Sequence, residues 1–177
     1  MSETTTVKEH AVLTEQATLE IQRLLPGPVE RVWDYLTRSD LRREWLAAGD
    51  MPMAVGAGFE LVWRNDELSK YPGARPPGIS EEERMSSRIT ELDPPRRLSF
   101  TWEGSGDVTV QLEPQGDEVL LTVTHRRVPD RDTLLSVSAG WHTHLDMLAT
   151  RLAGGEPEPF WNTWSRLHRE YGARMPG

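Results

Sequence analysis

The sequence predicts an α+β domain in which an antiparallel sheet packs against one long helix near the C-terminus. Three observations indicate this class. Residues 132–155 carry the longest run of apolar residues at helical spacing in the chain. Six shorter segments upstream alternate apolar and polar residues, as half-buried strands do, and turn-forming residues separate most of them. A one-faced sheet and an amphipathic helix must each bury an apolar surface, so we expect the helix to cover the sheet.

The composition limits both the size of the protein and its partners. With 177 residues, of which 37% are hydrophobic, the chain suits one domain with extra segments. A net charge of -8 argues against a nucleic-acid-binding surface and against attraction to anionic membranes. No run of about 20 apolar residues occurs, and the first residues lack the plan of a signal peptide, so we predict a cytoplasmic protein. The absence of cysteine excludes disulfides and sulfur-ligated metal sites.

The start of the chain is predicted to hold an arm, one strand and two short helices. Residues 1–16 are polar with little periodicity and are expected to form a mobile N-terminal arm. Residues 17–26 alternate and indicate the first strand. Pro28 suits the first turn of a helix that buries Trp33. The segment LRREWLA gives a second short helix, which turns Trp45 inward and its two arginines and glutamate toward water.

Five further strands are predicted to follow as a meander of hairpins. They lie at about residues 59–64, 85–92, 98–103, 108–112 and 119–123. Residues 68–83, between the first two of these strands, form a long connection that is rich in proline, glycine and charge. We interpret this connection as a mobile insertion, with a lid as the alternative.

The long helix would extend over roughly 30 Å. Asp130 or Asp132 is expected to cap its start, and glycines follow its end. Residues 156–177 form a C-terminal extension, which is predicted to be an amphipathic helix. Its large aromatic residues are expected to cover apolar surface on the same domain, in a homodimer or on a protein partner. The residues of this contact are Phe160, Trp161 and Trp164.

Seven sequence motifs occur in a characteristic order, namely VWDYLT, LRREWL, GAGFEL, LSFTWE, VTVQLEP, LTVTHRRV and GWHTHLDMLATRLAG. With them, the chain resembles the activator of heat-shock protein 90 ATPase homologue family of the START-like, birch-pollen-allergen-like (SRPBCC) superfamily. The resemblance implies a helix-grip fold over residues 17–155, in which a curved six-stranded antiparallel sheet wraps round the long helix and leaves a cavity. The superfamily uses that cavity for lipids, hormones, polyketides and other apolar ligands, and a few members are cyclases or hydrolases.

The candidates for the wall of such a cavity lie on the strands and on the inner stripe of the long helix. For Trp63, Trp102 and Trp141, core packing and cavity lining stay equal alternatives, whereas Trp33 and Trp45 are interpreted as core. The candidate ligand-binding residues are Trp63, Phe100, Trp102, Trp141, His144, Leu145 and Leu148.

Three strand arginines could anchor the carboxylate of a ligand, although arginines more often line the outer face of a sheet. They are Arg23, Arg88 and Arg126.

Metal-binding groups are not predicted, because His142 and His144 are two residues apart on a helix, which places them roughly 200° apart around its axis. His144 is either an ordinary half-buried histidine or a group that meets His125 or a strand carboxylate inside the cavity. No serine has an acid and a base placed for a triad. We therefore predict no catalytic residue, no metal and no cofactor.

These observations favour non-catalytic binding of an apolar or amphipathic small molecule between the helix and the sheet. The alternative is a protein-interaction or chaperone-modulating module, for which the C-terminal helix would be the contact surface. A cyclase or hydrolase acting in the same cavity is the third hypothesis. A binder needs an apolar cavity, an interaction module needs an exposed apolar patch, and an enzyme needs converging polar groups.

Overall fold

The computed structural model describes residues 7–15, 17–103 and 106–175. Its strands and helices follow one another in an order close to the predicted one. They are β1 (Val12–Glu15), β2 (Thr18–Pro26), α1 (Val29–Thr37), α2 (Ser39–Arg42), β3 (Gly58–Trp63), β4 (Glu83–Asp93), β5 (Arg97–Thr101), β6 (Asp107–Gln115), β7 (Glu118–Arg126), α3 (Arg131–Leu152) and α4 (Phe160–Arg174).

All strands belong to one antiparallel sheet with the order β1-β2-β7-β6-β5-β4-β3. The strands from β3 to β7 form the predicted meander, and β7 then pairs with β2 over residues that run from Leu19 opposite His125 to Pro26 opposite Glu118. The sheet curves around α3, which packs against β2 on one side and α4 on the other. The α+β helix-grip fold expected from the sequence is therefore confirmed.

The sheet has seven strands instead of the expected six, because part of the segment predicted as an arm is a strand. β1 pairs with β2, with Val12 opposite Glu20. The backbone N–H of Ala11 donates to the Tyr171 hydroxyl over 2.6 Å, which ties this segment to α4. The strand was missed because a short edge strand has no alternating apolar pattern. The rest of the predicted arm, residues 1–6 and 16, lies outside the described residues.

The ends of α3 show why the helix begins and ends where it does. A carboxylate oxygen of Asp130 accepts a hydrogen bond from the Thr133 backbone N–H over 2.8 Å, so Asp130 is the N-cap. This bond lowers the pKa of Asp130. Beyond the last turn, Gly154 adopts a φ of +79°, a left-handed conformation that suits glycine.

Arg42 lies in the interior, which corrects the prediction that it faces water. Its side chain is 1% exposed and donates hydrogen bonds to the backbone carbonyls of Leu36, Thr37, Ala47 and Gly49. Burial lowers the pKa of Arg42 to about 10, so the guanidinium stays charged at neutral pH. Its hydrogen bonds hold the end of α1 against the segment that follows α2.

The connection predicted as a mobile insertion contacts α4. The Ser69 hydroxyl accepts a hydrogen bond from the Phe160 backbone N–H over 3.0 Å, and the Pro72 carbonyl accepts one from the Trp161 backbone N–H over 2.9 Å. Pro159 precedes α4 and offers no side-chain cap. The connection therefore supplies acceptors for the free N–H groups at the start of α4.

The helix α4 packs back on its own domain. Phe160, Trp161, Leu167 and Tyr171 are buried, and Trp164 is partly buried. Of the alternatives that the sequence left open for Phe160, Trp161 and Trp164, the structure shows the one in which they cover apolar surface on their own domain.

Candidate functional site

A cavity lies between α3, the start of α4 and the neighbouring end of the sheet. Its volume is about 250 Å³, close to the lower end of the range of about 300–1,000 Å³ for ligand pockets. Most of the wall is aromatic or aliphatic. The lining residues are Leu46, Trp63, Asn65, Ile79, Glu83, Trp102, Ser136, Val137, Gly140, Trp141, His144, Phe160, Trp161 and Trp164.

Three tryptophans form one side of the wall. Trp63 ends β3, Trp102 follows β5, and Trp141 lies in the middle of α3. The Trp102 ring lies 5.6 Å from the Trp63 ring and 5.5 Å from the Trp141 ring, and both pairs are tilted. The Trp141 Nε1–H donates to Nδ1 of the buried His125 over 3.2 Å. This hydrogen bond satisfies the indole N–H and fixes the ring at the junction of helix and sheet.

The start of α4 supplies the other side of the wall. Phe160 and Trp161 form an edge-to-face pair with centroids 4.7 Å apart, and the Trp164 ring lies 5.8 Å from that of Trp161. The Trp161 Nε1–H donates to a carboxylate oxygen of Asp66 over 2.6 Å. The Asp66 carboxylate also pairs with Arg75. The rings of α4 are thus fixed by the segment between β3 and β4.

His144 is a polar group in this wall. Its Nδ1 lies 2.8 Å from the Trp45 carbonyl oxygen, and because a carbonyl only accepts, Nδ1 carries the hydrogen and Nε2 is left as an acceptor. Burial lowers the pKa of His144 to about 4, so the ring is neutral at pH 7. His144 bonds Trp45, and Trp141 bonds His125, so the two histidines make separate contacts.

Three further polar residues line the cavity, namely Asn65, Glu83 and Ser136. Asn65 Oδ1 is buried and has no hydrogen-bond partner within the described residues. Glu83 is exposed and lies opposite Trp63 in the pairing of β3 with β4, so it marks the solvent side of the cavity. The pairing places both side chains on one face of the sheet.

Four of the seven predicted ligand-binding residues line the cavity, namely Trp63, Trp102, Trp141 and His144. Phe100 lies beside them and borders a much smaller void of about 20 Å³. Leu145 and Leu148 are fully buried in the core and are not part of the lining. The sequence did not indicate Asn65 and Glu83, which carry no local pattern, and it favoured Phe160, Trp161 and Trp164 for a packing or partner contact instead of the cavity.

The three strand arginines do not line the cavity. Arg23 pairs with Asp146 of α3 over 2.9 Å. Arg88 is exposed and donates to the Gly56 carbonyl, while Arg126 pairs with Asp107 on the strand next to it.

A second polar cluster joins the N-terminal segment to α3 and α4. Its centre is Tyr171, whose hydroxyl lies 2.8 Å from Nδ1 of His142 and accepts the Ala11 backbone N–H. Burial lowers the pKa of His142 to about 3 and raises that of Tyr171 to about 12. These hydrogen bonds join the N-terminal segment, α3 and α4 at one point.

The described part of the chain offers neither a metal-binding cluster nor a membrane-spanning helix. Nowhere in residues 7–15, 17–103 and 106–175 do three or more histidine or acidic side chains form a group that could hold a metal ion. None of the helices described above is long and apolar enough to cross a membrane.

A curved antiparallel sheet that closes on a long helix, with an aromatic cavity between them, defines the helix-grip class of START-like domains. Within this class, the chain belongs to the family described as activator of Hsp90 ATPase homolog 1-like protein, whose model matches residues 26–153. The matched range ends before α4. No functionally curated protein matches the sequence.

Several solved structures are similar over most of the chain. The protein encoded by gene BPP1335 of Bordetella parapertussis has 34% sequence identity and a TM-score of 0.79, over 100% of this chain and 97% of that one. CalU16 of Micromonospora echinospora has 25% identity and a TM-score of 0.64, over 88% of this chain and 86% of its own. DynU16, a protein of the dynemicin biosynthetic locus, shares the fold at 22% identity and a TM-score of 0.63, over 81% of this chain and 49% of its own.

Proposed function

We propose that the protein binds an apolar or amphipathic small molecule in the cavity between α3, α4 and the sheet, without catalysis. The observation that carries this proposal is the aromatic wall, to which five tryptophans contribute. A cavity that buries most of a small ligand against aromatic side chains, with a few polar groups at fixed places, is the usual form of a binding site. The range that matches the family model includes β3, β4 and α3, which contribute to the wall of the cavity.

The arrangement of polar groups supports binding over catalysis. Ser136 lines the cavity without a histidine or carboxylate hydrogen-bonded to it among the described residues. The pKa of His144 is far below neutral pH because of burial, which makes its imidazole a weak base. A nucleophile with an activating base is therefore not assembled.

Gly140 offers a direct test, because it lines the cavity and a Cβ built on it meets no atom within 4 Å. Gly140→Leu is expected to fill the cavity while keeping the fold, and to raise the free energy of unfolding by up to about 1 kcal/mol, since glycine is a poor helix former. Gly172→Leu is the matched control, because Gly172 is also a helical glycine with open space and lies outside the lining.

A panel of fatty acids, sterols and aromatic polyketides is tested for binding. Binding is measured as a change in tryptophan fluorescence and in melting temperature. A ligand that binds only the folded state raises the melting temperature by mass action. We expect a response in the native protein and in Gly172→Leu, and its loss in Gly140→Leu. If no member of the panel changes either signal in the native protein, and native mass spectrometry of protein from its own host finds no retained molecule, the proposal fails and the protein-interaction hypothesis is favoured.

A further inference from the structure

The charge of the cavity wall is unbalanced. The lining residues include no lysine and no arginine, and Glu83 is the carboxylate among them. Within the described part of the chain, no cation pairs with Glu83, whereas its neighbour Glu82 pairs with Arg64 and Arg84. An uncompensated negative charge therefore lies at the solvent side of an otherwise aromatic cavity.

Several aromatic rings line the same space. The rings of Trp63, Trp102 and Trp141 are tilted at 58° and 49° from one to the next, so they do not stack flat on one another. Trp164 and Trp161 add two more rings at 76° to each other from α4. The face of an indole ring carries a negative potential, and several faces around one space attract a cation that has shed part of its water.

Two hydrogen-bond acceptors of the wall are available to a ligand. Asn65 Oδ1 is a buried acceptor without a partner among the described residues. His144 offers Nε2 as an acceptor, because its Nδ1–H is used by the Trp45 carbonyl. A ligand that donates hydrogen bonds would satisfy these atoms, and a buried acceptor left unpaired is costly.

Within the described residues, no lysine or arginine lines the cavity, so a bound anion finds no cationic donor there. The indole N–H groups of Trp141 and Trp161 donate to His125 and Asp66, and Arg75 is paired with the Asp66 carboxylate. The remaining donors of the wall, such as the Ser136 hydroxyl, are neutral. A carboxylate or phosphate in the cavity would therefore lack a cationic partner to offset its desolvation.

We infer that the molecule bound by this cavity carries a cationic amine, either protonated or quaternary, next to an apolar body. The inference rests on the proposed function, since it assigns the chemical class of the ligand at the same site. The ammonium group lies against the tryptophan faces with Glu83 on its solvent side, and the apolar body contacts the aliphatic part of the wall. A protonated amine also donates to Asn65 and His144.

Three small probes of similar size distinguish the charge of the ligand. They are benzyltrimethylammonium, its neutral carbon isostere neopentylbenzene, and the anion phenylacetate. Dissociation constants are measured by tryptophan fluorescence on the full chain. We expect the cation to bind at least about tenfold more tightly than neopentylbenzene, as a desolvated cation over indole faces does, and phenylacetate to bind most weakly.

Two variants locate the effect at the cavity. Glu83→Gln is expected to weaken benzyltrimethylammonium binding about threefold to fivefold, which is typical of an exposed charge pair, and to leave neopentylbenzene unchanged. Glu81→Gln removes the same charge from an exposed residue outside the lining and is expected to change neither affinity. Gly140→Leu is expected to abolish the binding of all three probes.

The outcomes separate this inference from the function on which it rests. Equal affinity for the cation and its isostere, tighter binding of phenylacetate, or equal effects of Glu83→Gln and Glu81→Gln would overturn the cationic ligand and leave small-molecule binding standing. The cationic ligand is also overturned, and small-molecule binding stands, in one further case. In that case none of the three probes binds, but a member of the ligand panel does, and Gly140→Leu abolishes its binding. Failure of both the probes and the panel would overturn the proposed function as well.

Discussion

At the scale of single residues, the buried charge of Arg42 shows how one side chain stabilises a chain reversal. Its guanidinium reaches four backbone carbonyls, which belong to the end of α1 and to the loop after α2. Among the described residues, these carbonyls accept no hydrogen bond from a backbone N–H of a helix or strand. Without the Arg42 guanidinium they would be buried and unsatisfied. A planar group with five N–H donors can bond several carbonyls at once, which a lysine ammonium cannot do in the same geometry.

Replacing this residue tests that account. Arg42→Lys is expected to lower the free energy of unfolding by about 2–3 kcal/mol, because the charge is kept while most of the carbonyl bonds are lost. Arg43→Lys, next to it and exposed, should change the stability by no more than about 0.5 kcal/mol. Urea denaturation of both variants gives the comparison, and equal midpoints would contradict the role of Arg42.

The lowered pKa values of two buried histidines predict how the free energy of unfolding depends on pH. The pKa of His142 is lowered to about 3 and that of His144 to about 4 because burial disfavours the charged ring, so both stay neutral in the folded protein. In the unfolded chain they bind protons below their ordinary pKa of about 6.5. The unfolded state therefore gains protons as the pH falls from 6.5, and the folded state loses relative stability.

Between pH 6.5 and pH 5, each histidine is expected to reduce the free energy of unfolding by roughly 2 kcal/mol. This window lies above the range in which most carboxylates take up protons, so the histidines dominate it. Guanidinium denaturation at closely spaced pH values measures the slope. A stability that stays constant down to pH 5 would show that the histidines are not shielded from solvent.

At the scale of elements, the segment between β3 and β4 caps a helix that lies far from it in sequence. Gly73 adopts a φ of +79°, and a Cβ on it would lie 2.5 Å from Oδ1 of Asn162 in α4. The backbone of this segment therefore approaches α4 more closely than any other residue type would allow. The same approach brings the Ala74 backbone N–H to the Asn162 side chain over 3.3 Å.

A pair of glycine variants isolates this contact. Gly73→Ala and Gly78→Ala both place an alanine at positive φ, but only the first meets another atom, since the space around Gly78 is open. We expect Gly73→Ala to cost about 1–3 kcal/mol more than Gly78→Ala and to speed hydrogen exchange at the first turn of α4. Equal exchange in the two variants would show that the segment does not hold the helix.

At the scale of the whole molecule, the elements that alternate or repeat at regular spacing could be predicted, and the contacts between distant segments could not. The strands β2 to β7 and the long helix follow from patterns within ten to twenty residues of sequence. The position of α4 depends on acceptors supplied by the segment around Ser69 and Pro72, whose polar residues read only as a loop. For the same reason the sequence did not indicate that Trp161 lines the cavity.

The cavity wall is built from two parts of the chain, the part with the strands and α3, and the later helix α4. This division affects which parts of the wall can vary. The strands β3 to β7 and α3 lie within the range that the family model matches, whereas α4, with 15 residues, follows it. Leu167 and Tyr171 are buried in the later turns of α4, while Phe160, Trp161 and Trp164 in its first turns line the cavity. Trp164 is only partly buried, so a substitution there is expected to reshape the cavity at a lower cost in stability than one at Phe160 or Trp161. The shape of the cavity can thus vary through a segment outside the matched range, while β3 to β7 and α3 keep their sequence.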